Sequence, residues 1–102
     1  MSKIVFDPEA KKEFLESVIY YEENRPGLGR QFKQTVESAT SSIADHPLRY
    51  RTIRSPFKRY LLQKFPFSII YTIEPDHIYI VAIAHNRRKP EYWSDRPKSH
   101  SE

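Results

Sequence analysis

The spacing of apolar residues changes twice along the chain, and each change marks a new kind of element. Lys3 to Phe6 sets Ile4 and Phe6 alternately against Val5 and stops at Asp7-Pro8, an N-cap followed by a residue suited to the first helical position. A strand therefore feeds a helix. From Pro8 onward Phe14, Leu15, Val18, Ile19 and Tyr21 recur at three- and four-residue spacing, with Lys11, Lys12, Glu13, Glu16, Glu22 and Glu23 on the other face, which predicts an amphipathic helix lying on a core. Asn24-Arg25-Pro26-Gly27 breaks it. A second helical period starts at Leu28, continues through Phe32, Val36, Ala39 and Ile43, and ends at His46-Pro47, so the two helices form an antiparallel hairpin. Leu48 to Pro56 has no period and reads as a basic loop carrying Arg49, Arg51 and Arg54. Beyond it the pattern turns aromatic and β-branched in Tyr60–Phe65, Phe67–Ile73 and Ile78–Ile83, separated by Pro66 and by Glu74-Pro75-Asp76-His77, as in a three-stranded antiparallel meander.

The order β-α-α-β-β-β predicts an α+β fold of two layers, with both helices on one face of a small sheet and the opposite face uncovered. A chain of 102 residues supports one domain, expected over residues 1–93, and the polar stretch 94–102 reads as a flexible tail. There is no cysteine, and the four histidines are scattered, so no thiolate site, disulfide, metal or cofactor is implied. No apolar run reaches the length of a membrane span and no signal-peptide core is present, which makes the cytoplasm the expected location, with no membrane partner. Charge is unevenly spread. Residues 1–48 hold six Lys/Arg against eight Asp/Glu and residues 49–102 hold eleven against five, so halves of −2 and +6 make up the net +4. An excess of cations on the half that also carries most of the aromatics points to a polyanionic partner, nucleic acid or an acidic protein segment.

The densest candidate chemistry follows the last strand, where His77 to Ala84 runs into His85-Asn86-Arg87-Arg88-Lys89-Pro90-Glu91-Tyr92-Trp93. An imidazole beside cations and two aromatics can bind phosphate and stack on bases. Arg59 and Lys64 extend the same basic face. Each group also has a structural reading: His85 as a hydrogen-bonded strand terminator, Arg88 paired with Glu91 or Asp95, and Tyr92-Trp93 as a plug over one end of the core.

Several local patterns, in order, resemble the RelE/ParE superfamily of type II toxin–antitoxin toxins over about residues 3 to 93. They are Phe6-Asp7-Pro8-Glu9-Ala10, Tyr20-Tyr21-Glu22-Glu23, Arg25-Pro26-Gly27-Leu28-Gly29 with Phe32, Ile43-Ala44-Asp45-His46-Pro47, Phe65-Pro66-Phe67-Ser68-Ile69-Ile70-Tyr71, and Ala82-Ile83-Ala84-His85 with Arg88, Pro90 and Trp93. The subgroup it looks most like is the ParE-like or plasmid-stabilisation one. That resemblance implies a toxin neutralised by a cognate antitoxin and acting either on DNA gyrase, as ParE-like members do, or as a metal-free endonuclease on messenger RNA at the ribosome, as RelE-like members do. In the nuclease case His85 would be general base or acid and Arg88 or Arg87 would hold the scissile phosphate. Arg59, Lys64, Lys89, Tyr92 and Trp93 would bind target. At the strand position after Phe67 where RelE has an arginine this chain has Ser68, which favours gyrase inhibition by binding. A third reading is a non-toxic nucleic-acid-binding module.

Overall fold

The computed structural model describes residues 2–96. Asp7 caps the first helix: its carboxylate accepts the Glu9 N–H at 2.9 Å, and its own N–H donates to Ile80 O. The elements are β1 (Lys3–Phe6), α1 (Pro8–Asn24), α2 (Leu28–Asp45), β2 (Arg51–Arg54), β3 (Phe57–Leu61), β4 (Phe67–Ile73) and β5 (His77–His85). They form an α+β fold in which one five-stranded sheet, ordered β1-β5-β4-β3-β2, is parallel at β1–β5 and antiparallel elsewhere. The helix hairpin covers one face.

The stretch 48–56, read as a loop, contributes the edge strand β2, and the strand expected over Tyr60–Phe65 lies instead at Phe57–Leu61. An edge strand buries little: Arg51, Thr52 and Arg54 are exposed and only Ile53 is half-buried, so no alternation marks it, and its arginines discourage further pairing. Phe57 is buried against Trp93, whereas Leu62 and Phe65 enter the helix-side core from the turn, where Lys64 adopts φ 71°.

The α2 stripe is as its period predicts, with Phe32, Val36, Ala39 and Ile43 all essentially inaccessible. On α1 the apolar residues divide. Ala10 is buried and Phe14, Val18 and Tyr21 pack on the core, but Leu15 and Ile19, expected on the core, are 49% and 56% exposed. Successive helical residues turn by about 100°, so a flat sheet receives the 14/18/21 side and leaves the 15/19 side outward. The helices approach closely at Gly29, where an added Cβ would lie 2.5 Å from Val18 O. Gly27, at φ 90°, caps α2 without a side chain, and Glu22 of α1 supplies the missing acceptor by taking the Gly27 and Gly29 N–H groups at 3.0 and 3.1 Å.

A β-bulge decides which way the end of β5 faces. Ile70 pairs with Ala82 but Tyr71 with Ile80, so Val81 is an extra residue and the alternation changes phase. Ile78 and Ile80 face the helices before it, and Ile83 does after it. Tyr79, Val81, Ala82 and Ala84 form, with Phe57, Ile70 and Trp93, a second apolar cluster on the opposite face.

Tyr71 lies wholly in the first core and donates its hydroxyl to Pro47 O at 2.7 Å. Burial, aided by nearby Tyr50, pushes its phenol up to about 12 from 10.0. A raised phenol pKa contributes stability that is complete below about pH 10 and is lost as pH rises through about 12. Alkaline titration should therefore show Tyr71 ionising together with loss of helical circular dichroism. Free titration of all seven tyrosines near pH 10 with the fold intact would contradict this burial.

Candidate target-binding site

The sheet face expected to be bare is covered. Residues 86–96 cross it in a chain of turns, with backbone bonds from Arg88 N to His85 O, Tyr92 N to Lys89 O, Ser94 N to Glu91 O and Arg96 N to Trp93 O. Trp93 is 4% exposed and packs against Phe57 at 4.8 Å between ring centroids, so it is a core side chain and not a stacking platform. Tyr92 is half-buried beside it: Arg88 lies over its ring at 3.8 Å, Arg96 stands 5.1 Å from its centroid, and its hydroxyl donates to Glu13 at 2.7 Å. Apolar burial wins because the two rings close a cluster that would otherwise expose Ile70, Tyr79 and Val81 to water.

The anchor of this segment is Arg96, within the stretch expected to be a loose tail. Its guanidinium meets Glu13 at 2.8 and 3.1 Å and Val81 O at 3.0 Å, while the same carboxylate accepts the Ile83 N–H at 3.0 Å. β1 ends opposite Ile80, so these side chains satisfy the β5 edge where no strand continues. Burial and the Glu13 hydrogen bond both raise the Tyr92 phenol. Residues 97–102 of the expected tail lie outside the described residues.

Two hollows flank this segment. The larger, about 560 Å³, lies between α1 and the end of β5, with Tyr20, Tyr21, Phe67 and Ile83 as apolar walls and Glu13, Glu16, His85 and Arg88 at its margin. The smaller, about 260 Å³, opens on the second sheet face and gathers Arg59, Arg88 and Lys89 around a floor of Ser68, Ile70 and Ala84. Ser68 is 3% exposed and donates to Asn86 Oδ1 at 2.8 Å. The smaller hollow therefore has an uncharged floor and a rim that carries these three cations together with Glu91, which is paired with Arg54.

His85 stands between the two. Its ring is edge-on to Phe67 at 5.0 Å, and Nδ1 accepts the Arg87 N–H at 3.1 Å, leaving Nε2 as the donor of the neutral ring. Arg88 covers Tyr92 and pairs with neither carboxylate offered by the sequence: Glu91, held at φ 61°, meets Arg54 at 2.8 Å. Arg87 is exposed beside His85. Lys64 lines a third hollow near α2, with Gln31 and Tyr60, and is separate from the others. The structure thus gathers Arg59, His85, Arg88 and Lys89 and leaves Lys64 apart. Glu13, Asn86 and Arg96 have no site role in the sequence reading, which marks Ser68 only as a position lacking a guanidinium and does not foresee its bond to Asn86. Among the described residues no cluster of three or more His, Cys, Asp or Glu side chains is placed to hold a metal ion, and no helix is long and apolar enough to cross a membrane.

A family model described as the ParE toxin of the type II toxin–antitoxin system parDE matches residues 4–90. Comparison with curated proteins gives no match. Among solved structures, the chromosomal ParDE TA system from P. aeruginosa is similar in fold, with a TM-score of 0.73 at 13% identity over 83% of this chain and 96% of that one.

Proposed function

The chain belongs to the ParE toxin family of type II toxin–antitoxin systems, and from that premise we propose that it arrests growth by binding DNA gyrase and is neutralised by a cognate antitoxin. The observation that carries the choice of mechanism is the floor of the cationic hollow. RNA cleavage by the RelE-type route wants a cation beside the phosphoryl oxygens on which charge builds. Here that strand position is Ser68, buried and already bonded to Asn86. The neighbouring groups are committed as well, Arg88 to the Tyr92 ring and His85 Nδ1 to the backbone. A rim of Arg59, Arg88 and Lys89 over an uncharged floor suits docking onto an acidic protein surface better than it suits chemistry.

The antitoxin reading draws on the larger hollow. Its aromatic and aliphatic walls suit the apolar anchors of a segment that folds as it docks, and an acidic segment would meet the basic half of the chain.

Expression of the chain without an antitoxin should stop growth and leave cellular messages whole while relaxed or linear plasmid DNA accumulates. Arg59→Glu with Lys89→Glu should relieve the arrest and lower affinity for purified gyrase by about tenfold or more, the scale of like-charge contacts at a rim. Cuts within translated codons that disappear in His85→Ala would replace this mechanism with the nuclease. Normal growth at confirmed expression would favour the inert module.

A further inference from the structure

The outward side of α1 carries two exposed apolar residues that line neither hollow, and the residues around them have an internal symmetry. Leu15 and Ile19, 49% and 56% exposed, lie two residues before and after Ser17. Lys12 and Lys11 lie five and six residues before it, and Glu22 and Glu23 five and six after it. All four charged residues are exposed. Eleven residues make about three helical turns, so Lys12 and Glu23 share one flank of the apolar pair and Lys11 and Glu22 share the other.

We propose that this face of α1 pairs with the same face of a second copy, antiparallel, about a two-fold axis at the level of Ser17. A two-fold axis lying between antiparallel helices keeps each flank on its own side and reverses the direction of the chain. Leu15 then meets Ile19 of the other copy, Lys12 meets Glu23, and Lys11 meets Glu22, each contact occurring twice. Parallel pairing would instead set like charges together at both ends. Both Glu22 oxygens already accept the Gly27 and Gly29 N–H groups on the α2 side, so the charge complementarity rests chiefly on the Lys12–Glu23 pair. With two apolar residues per copy at its centre, the contact belongs to the small, transient class of interface. Neither Leu15 nor Ile19 lines the larger hollow.

Sedimentation equilibrium of the full chain from about 10 µM to about 1 mM, the range that brackets weak association, should show the mass rising from 12.2 kDa towards twice that value. Ile19→Asp should weaken association at least tenfold, and so should Lys12→Glu. Combining Lys12→Glu with Glu23→Lys in one chain should restore it, because symmetry recreates both pairs with their charges exchanged. These positions are exposed, and unchanged circular dichroism confirms that each variant is folded. A single 12.2 kDa species at every concentration overturns the proposal and leaves the stripe to a different protein partner. A dimer indifferent to Ile19→Asp, or a charge-swapped chain that stays monomeric, overturns it equally.

Discussion

Phe32→Ala should cost the fold about 4 kcal/mol, a large part of the roughly 5 to 15 kcal/mol that holds a domain of this size together. Phe32 is the side chain through which the layers meet. It is inaccessible to solvent, and its ring lies 5.2 Å from Tyr21 of α1, 5.1 Å from Phe65 in the β3–β4 turn and 5.0 Å from Phe67 at the start of β4. Phe14 completes the cluster at 6.2 Å. Truncation removes the transfer free energy of the ring and leaves a space that three separate elements border, none of which can move in without leaving its other partners. Urea denaturation should show the midpoint falling with little change in slope, and Phe32→Leu, which keeps most of the volume, should cost under about 1.5 kcal/mol. A loss below about 1 kcal/mol for alanine would mean that the cluster collapses around the gap and is looser than its ring geometry implies.

Glu13→Ala should cost about 3 kcal/mol and, unlike Phe32→Ala, should loosen one part of the molecule before the rest. One carboxylate serves the Ile83 N–H, the Tyr92 hydroxyl and the Arg96 guanidinium, so its removal leaves three donors without their acceptor in a site where the Arg96 and Glu13 side chains are only 14% and 15% exposed. Breaking a fully buried pair costs roughly 3 to 5 kcal/mol, and residual exposure places this one at the lower end. The chain has a single tryptophan, Trp93, three residues before Arg96 and buried on the sheet. Its emission should shift to the red at denaturant concentrations where the helical signal is still native. Arg96→Ala should reproduce the shift, and the double variant should cost much less than the sum of the two. Coincident loss of both signals would show that residues 86–96 unfold only with the whole domain. Because Arg88 and Lys89 ride on this segment, Glu13→Ala should also weaken target binding while leaving those residues in the chain.

The helix hairpin, the fold class and the identity of the central strands were legible because each depends on a repeating pattern over many residues. The α2 stripe, the Asp7-Pro8 start and the two β-branched runs all carry their signal locally. The edge strand β2 was not legible, since a strand with one half-buried side chain satisfies its ladder with backbone groups that every residue has. α1 was readable as a helix, but its orientation was not: five apolar residues span more of its circumference than one sheet face can cover, and only the position of α2 and β5 selects which of them are buried.

Of the candidate site, the residue types were visible and their arrangement was not. The sequence by itself determined a basic carboxyl-terminal half, the cluster from His85 to Trp93 and the absence of cysteine. The tertiary structure decided that Trp93 faces inward, that a bulge at Val81 turns the end of β5 towards the helices, and that Glu13 reaches Arg96 across 83 positions of chain. The physical reason is range. Periodicity and capping act between residues a few positions apart, whereas a bulge phase or a buried ion pair is fixed by which distant surfaces must be sealed from water once the layers have met.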